Sequence, residues 1–301
     1  MRRVIIDTDI ASGIGGDIDD ALALLLALRS DGMEVGGITI VYGDVDVKAR
    51  LALNILSVLG RRDVPVVKGS RRPLLLRMRR GAQEGYGRAK EVELLDPTMR
   101  ALGAHAVDFI LSRVKEHGDD TVVTLGPLTN IALALLKDPE LGDHITRLVM
   151  MGGVLNAVSP DGFPLPTVEY NVAADPHAAK VVLNSGIPIT MVPLDVTLRT
   201  LLSDERLERI ASARSAVARY VIGLTGLRGR YPLHDPLAVG VAVDGGFVRT
   251  ARLRVDVEVK GELTMGKTVV VDRGVANVDA CIDVDAERFL DFFIETVMGR
   301  P

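Results

Sequence analysis

Five aspartates crowd the first twenty residues: Asp7, Asp9, Asp17, Asp19 and Asp20, with Gly13, Gly15 and Gly16 among them. Like charges brought together in a fold repel, and a fold that gathers them needs a cation. Oxygen-only ligation of this kind suits Ca²⁺ or Mg²⁺ better than zinc, which prefers His and Cys. The plainer alternative is a solvated loop between strand and helix, with Asp17 or Asp19 capping the helix. A second group stands far along the chain in Pro232-Leu233-His234-Asp235-Pro236. Asp235 could serve as an N-cap ahead of Pro236, yet a further carboxylate beside a titratable imidazole also suits ligation and proton transfer. The remaining histidines, His105, His117, His144 and His177, fall on helix faces or ends, where packing or surface roles are expected.

The elements that must position these groups alternate. Strand-like runs cover Arg3 to Thr8, Val35 to Val41, Val64 to Val67, Thr121 to Leu125, Arg147 to Met151 and Ile189 to Val192. Helical patterns cover Asp19 to Ser30, Val47 to Leu59, Ala104 to Glu116, a segment opened by Pro127, and Pro176 to Asn184. Helices are expected within Ser203 to Leu227 and from Asp235. The tail reads as strands over Arg252 to Val259, Lys267 to Asp272 and Val278 to Ile282, then a helix over Ala286 to Val297. Gly69 to Pro97 lacks periodicity and carries Arg77-Met78-Arg79-Arg80 and Gly85-Tyr86-Gly87, as a functional loop or flap does; Gly152 to Asn171 also reads as irregular. Repeated βα units predict an α/β protein: a single domain over residues 1–301, with an open, mostly parallel, Rossmann-like sheet and helices on both faces. Ligands of such sheets bind outside the carboxyl ends of the strands. Asp7, Asp9, Asp44, Leu125 and Glu169-Tyr170-Asn171 all fall at that edge.

Composition narrows the partners. Lys and Arg number 36 against 40 Asp and Glu, a net charge of −4, which offers no footprint for nucleic acid. Hydrophobic residues make up 48% and mean hydropathy is +0.24, ample for a buried sheet. No apolar run is long enough to span a bilayer and no secretory signal precedes Val4, so a soluble cytoplasmic protein is expected. A lone cysteine, Cys281, excludes an intramolecular disulfide and, in an alternating run, reads as sheet packing.

The ordered blocks Asp7-Thr8-Asp9 with Asp19-Asp20-Ala21, Gly126-Pro127-Leu128-Thr129-Asn130-Ile131-Ala132, Met151-Gly152-Gly153, Glu169-Tyr170-Asn171 with Asp175-Pro176, and His234-Asp235-Pro236-Leu237-Ala238-Val239 resemble the inosine-uridine preferring nucleoside hydrolases. Gly266 and Ala276-Asn277-Val278 extend the likeness toward the C-terminus. The resemblance implies the nucleoside hydrolase fold and Ca²⁺-dependent cleavage of the N-glycosidic bond of ribonucleosides. By position, Asp9, Asp20, Asp235 and the carbonyl of Leu125 would hold Ca²⁺, with Asp7 orienting them from behind. Asp9 would take the proton of the attacking water, and His234 would assist the departing base. Asp19, Asp44, Glu169, Asn171 and Asp235 would grip the sugar. From their own chemistry, Tyr231, Tyr86, Arg228 and Arg230 could line the base side by stacking or hydrogen bonds, the two arginines equally well being solvated loop charges. A small-molecule nucleoside is the implied partner, and a homodimer or homotetramer the implied assembly.

Some positions depart from the family pattern. Ala11 to Gly16 is an insertion where the common loop is shorter. Asp44 stands where many members carry Asn and can accept but not donate. Phe163 or a neighbour replaces an expected sugar-binding Asn, and the segment around Gln83 lacks a histidine common near the base. Two rival readings remain: a haloacid-dehalogenase-type phosphatase, with Asp7 as nucleophile, and a nucleoside- or ribose-binding module with an inactive Ca²⁺ site.

Overall fold

The computed structural model describes residues 2–11, 18–75, 92–117, 121–159, 162, 164–226 and 229–299. In chain order the first half contains β1 (Arg2–Thr8), α1 (Asp19–Arg29), β2 (Met33–Ile40), α2 (Val45–Val58), β3 (Val66–Lys68), α3 (Ala106–His117), β4 (Thr121–Thr124), α4 (Thr129–Lys137), α5 (Leu141–His144) and β5 (Arg147–Met151). There follow α6 (Tyr170–Ala174), α7 (Pro176–Leu183), β6 (Ile189–Val192), α8 (Leu194–Thr197), β7 (Leu201–Leu202), α9 (Asp204–Ser212), α10 (Ala216–Thr225) and β8 (Tyr231–Pro232). The chain closes with α11 (His234–Val243), β9 (Val248–Leu253), β10 (Val255–Val257), β11 (Thr268–Val270), β12 (Val278–Val284) and α12 (Ala286–Met298).

Eight strands form one sheet in the order β3-β2-β1-β4-β5-β6-β12-β9. Neighbours run parallel except at the β9 edge, which pairs antiparallel with β12. Alternation along each strand sends side chains to both faces, and both are covered. Val4 and Ile6 of β1 join Leu22 of α1, Leu51 of α2, Leu237 of α11 and Phe289 of α12 on one face. Ile5 joins Ile110 of α3, Ile131 of α4 and Val182 of α7 on the other. The open, helix-covered, mostly parallel architecture read from the sequence is the one observed.

The order of strands reverses between β1 and β4. β2 and β3 build outward on one side of β1, and the chain then returns to lay β4 on the other. Segments leaving β1 and β4 must therefore diverge, which opens a crevice at their carboxyl ends. α1 begins there with Asp19 and Asp20 in its first turn and ends on Arg29, matching the helix macrodipole.

Three details differ from the periodicity. The strand expected over Arg252 to Val259 splits, because Leu253 pairs with Val278 in the main sheet while Val255 pairs with Val270 in a small hairpin. The Asn277 side chain sits at the break, accepting from Val255 N–H at 2.8 Å and donating to the Leu183 carbonyl at 2.7 Å. The helix expected from Pro127 begins at Thr129. The stretch expected to stay irregular to Asn171 turns helical at Tyr170, because the Glu169 carboxylate caps that turn by accepting from Asn171 and Val172 N–H. The expectations for Asp17, the insertion at 12–16, Arg77 to Arg80, Gln83, Tyr86, Phe163 and Arg228 lie outside the described residues. Among the described residues, no helix is long and apolar enough to cross a membrane.

Candidate active site

Two helix starts bring three carboxylates together. Asp19 and Asp20 occupy the first turn of α1 and Asp235 the first turn of α11, with one oxygen from each lying within 4.8 Å of the others. The Asp235 N–H also donates to Asp19 Oδ2 at 3.4 Å. Helix N-termini favour negative charge, but two unit charges at this spacing still repel by roughly 3–4 kcal/mol per pair at an effective dielectric constant of about 20. Repulsion across three pairs exceeds what two exposed helix ends supply. Burial, and then the fields of Asp9 and Asp19, hold the Asp20 carboxyl well above the ordinary carboxylate range. Burial raises Asp235 in the same direction, followed by Asp19, Asp20, Asp9 and Glu169. Such a group must hold protons or a cation, and its all-oxygen donor set fits a hard divalent ion.

The ends of β1 and β4 set the floor of this centre. Asp7 is fully buried, and its Oδ1 accepts from Thr39 Oγ1 at 2.6 Å and Asn130 Nδ2 at 2.8 Å. Its Oδ2 has no hydrogen-bond partner among the described residues, and burial pushes the carboxyl up to about 7. Thr8 Oγ1 donates to Asp20 Oδ1, tying the end of β1 to α1. Asp9 follows, partly exposed, with its side chain against Gly126. The Leu125 N–H donates to the Asp7 carbonyl at 2.8 Å, while the Leu125 carbonyl accepts from Asn171 Nδ2 at 2.8 Å.

The far wall comes from the segments after β5 and β6. Glu169 Oε1 accepts from Asn171 N–H at 2.7 Å, and Oε2 from Gly153 and Val172 N–H at 3.0 Å each. Burial raises the Glu169 carboxyl, and these three backbone donors oppose the shift. His234 opens α11, and its Nδ1 lies 2.7 Å from the hydroxyl of Thr197 at the end of α8. Tyr231 is half-buried and donates its hydroxyl to the Thr225 carbonyl at 2.6 Å. Asp44 caps α2, accepting from Asp46 and Val47 N–H at 3.2 and 3.3 Å. Arg230 is exposed.

Residues 4–291 match the profile of the family described as inosine-uridine preferring nucleoside hydrolase. The chain belongs to that family. It is 37% identical to the uncharacterized protein C1683.06c of Schizosaccharomyces pombe, covering 99% of this chain and 100% of the relative. It is 33% identical to the pyrimidine-specific ribonucleoside hydrolase RihA of Shewanella woodyi, covering 98% of each. Its fold superposes on the purine-preferring ribonucleoside hydrolase of Gardnerella vaginalis with a TM-score of 0.85 and 34% identity, over 99% of this chain and 98% of that one.

This nucleoside hydrolase is therefore an N-glycosyl hydrolase of ribonucleosides, and family membership displaces the phosphatase reading. Two residues at the hydrolase centre escaped the sequence reading. Lys48 is fully buried and donates from Nζ to the backbone carbonyl of Asp9. Its signal was a lysine inside the apolar stripe Lys48, Leu51, Ala52 and Ile55 of α2, at helical spacing on a buried face. Thr197 carries no comparable mark, because nothing in its local sequence tells of a histidine 37 residues away.

Proposed function

We propose that this hydrolase cleaves nucleosides at the carboxylate centre with Ca²⁺, held by Asp9, Asp20, Asp235 and the Leu125 carbonyl. The observation that carries this reading is the buried meeting of Asp19, Asp20 and Asp235 at two helix starts, in the crevice where strand order reverses. Bound there, the ion supplies Lewis acidity toward water and sugar hydroxyls. Cleavage of an N-glycosidic bond builds positive charge on the sugar ring, which a carboxylate-lined pocket stabilises. Asp9, more exposed than the carboxylates around it, takes the proton of the attacking water. Glu169, fixed by three backbone donors, keeps lone pairs for sugar hydroxyls, and Asn171, Asp19 and Asp44 complete the grip on the ribose. Tyr231 lies on the base side.

His234 serves the leaving base. An imidazolium carries an N–H on each ring nitrogen: with Nδ1–H donating to the Thr197 hydroxyl, the Nε2 proton can pass to the departing base and leave a neutral ring. The relatives are named for opposite preferences, pyrimidine in one case and purine in another, so their names leave the base of this hydrolase to be measured. Ribose and base release from a panel of purine and pyrimidine nucleosides, with calcium and after chelation, tests the reading. Turnover is expected on at least one nucleoside, lost on chelation and restored by calcium. Full turnover after exhaustive chelation would remove the metal from the mechanism, and full activity of Asp9→Ala would remove its base.

A further inference from the structure

Lys48 lies inside the carboxylate centre, and nothing in the hydrolytic chemistry above requires a lysine there. Burying an ammonium is unfavourable unless opposite charges and acceptors surround it. Around this one they do. Nζ donates to the Asp9 carbonyl and lies 3.9 Å from Asp9 Oδ2, and Asp20 and Asp44 also act on it electrostatically. Its hydrogen bond falls at a particular place on the chain. β1 ends at Thr8, whose carbonyl still accepts from the Val41 N–H at 3.0 Å, and the next carbonyl, that of Asp9, accepts from Lys48. A side chain from α2 thus holds the first carbonyl beyond the end of β1, just where the base must be aimed.

The charge balance points the same way. Asp7, Asp9, Asp19, Asp20, Asp235 and Glu169 together outnumber the two positive charges of a divalent ion, and a metal-free protein lacks even those. We infer that Lys48 is the resident cation of the cluster, keeping the carboxylates assembled when no metal ion is bound. The inference rests on the reading of this cluster as a metal centre, and it assigns Lys48 no part in the transfer of protons.

Thermal unfolding of Lys48→Met, Asp9→Asn and the double variant, each in EDTA and in calcium, tests it. Methionine retains an unbranched apolar stem, so the change removes mainly the charge and the donor. In EDTA, Lys48→Met should lower Tm by about 5–10 °C in the wild-type background, as removal of one partner from a buried pair does. In the Asp9→Asn background the same substitution should cost less than half as much, because the carboxylate that Lys48 faces is gone. Calcium should raise Tm further in Lys48→Met than in the wild type. Equal losses in EDTA in both backgrounds, or failure to fold in both, would make Lys48 a space-filling residue and overturn the inference. If Lys48→Met alone fails to fold in EDTA while the double variant folds, the inference stands. No response of any of these proteins to calcium would count against the metal reading, while the comparison in EDTA would still decide the role of Lys48.

Discussion

Gly126 lies directly against Asp9: a Cβ at Gly126 would stand 2.8 Å from Asp9 Oδ1 and 2.9 Å from the Asp9 backbone nitrogen. Real Cβ atoms essentially never come within 3.0 Å of such atoms, and one of the two is backbone. Gly126→Ala must therefore shift Asp9 or the turn after β4. Displacement of a reacting group by about 1 Å can lower turnover by roughly 100-fold. The expected result is a fall of that order in kcat with the fold retained by circular dichroism. Unchanged kcat would show that the geometry at Asp9 is not limiting.

Asp235→Asn separates stability from function. Replacing one of three mutually repelling buried carboxylates by a neutral amide should raise the Tm of the chelated protein by about 2–4 °C, corresponding to ~1–2 kcal/mol. The same change should weaken calcium binding by titration calorimetry and depress turnover. A variant less stable than the wild type in EDTA would mean that the hydrogen-bond geometry of Asp235 outweighs its repulsion.

The contact between Thr197 and His234 predicts a hierarchy. His234→Ala should lower kcat by roughly 10²–10⁴-fold, the range of general acid–base catalysis, with metal affinity unchanged. Thr197→Val removes the hydroxyl at Nδ1 and should lower kcat by a smaller factor. In the double variant Thr197→Val should add no further loss, since the ring it orients is absent. Independent, multiplicative losses would separate the two residues.

Cys281 is fully buried in β12, and burial pushes its thiol up to about 12. With so little thiolate, it should resist iodoacetamide in the folded protein at neutral pH and react once the chain is unfolded. Rapid labelling without loss of structure would contradict the packing of this strand.

Much of the architecture was legible because parallel strands buried on two faces leave uninterrupted apolar runs, such as Val4 to Ile6 and Leu148 to Met151. The crevice was legible as well, since Asp9 and Leu125 follow directly on strand ends and Asp7 is the last residue but one of its strand. What stayed hidden depends on pairing between distant segments. Alternation from Arg252 to Val259 could not reveal that Leu253 and Val255 belong to different sheets. Asp44 was read as a sugar ligand, and its local hydrogen bonds show a helix cap as well. Lys48 went unread because attention to carboxylates and histidines passes over a cation set in an apolar stripe, although its spacing among Leu51, Ala52 and Ile55 was available.

The bond from Asp235 to Asp19 spans 216 positions of chain. A ribosome must thus add 216 residues after Asp19 before Asp235 emerges to meet it. Until then the N-terminal aspartates are on their own in the nascent polypeptide, and truncation anywhere ahead of α11 leaves the centre incomplete however well the earlier βα units have folded. Catalytic competence in this sense waits on the synthesis of α11.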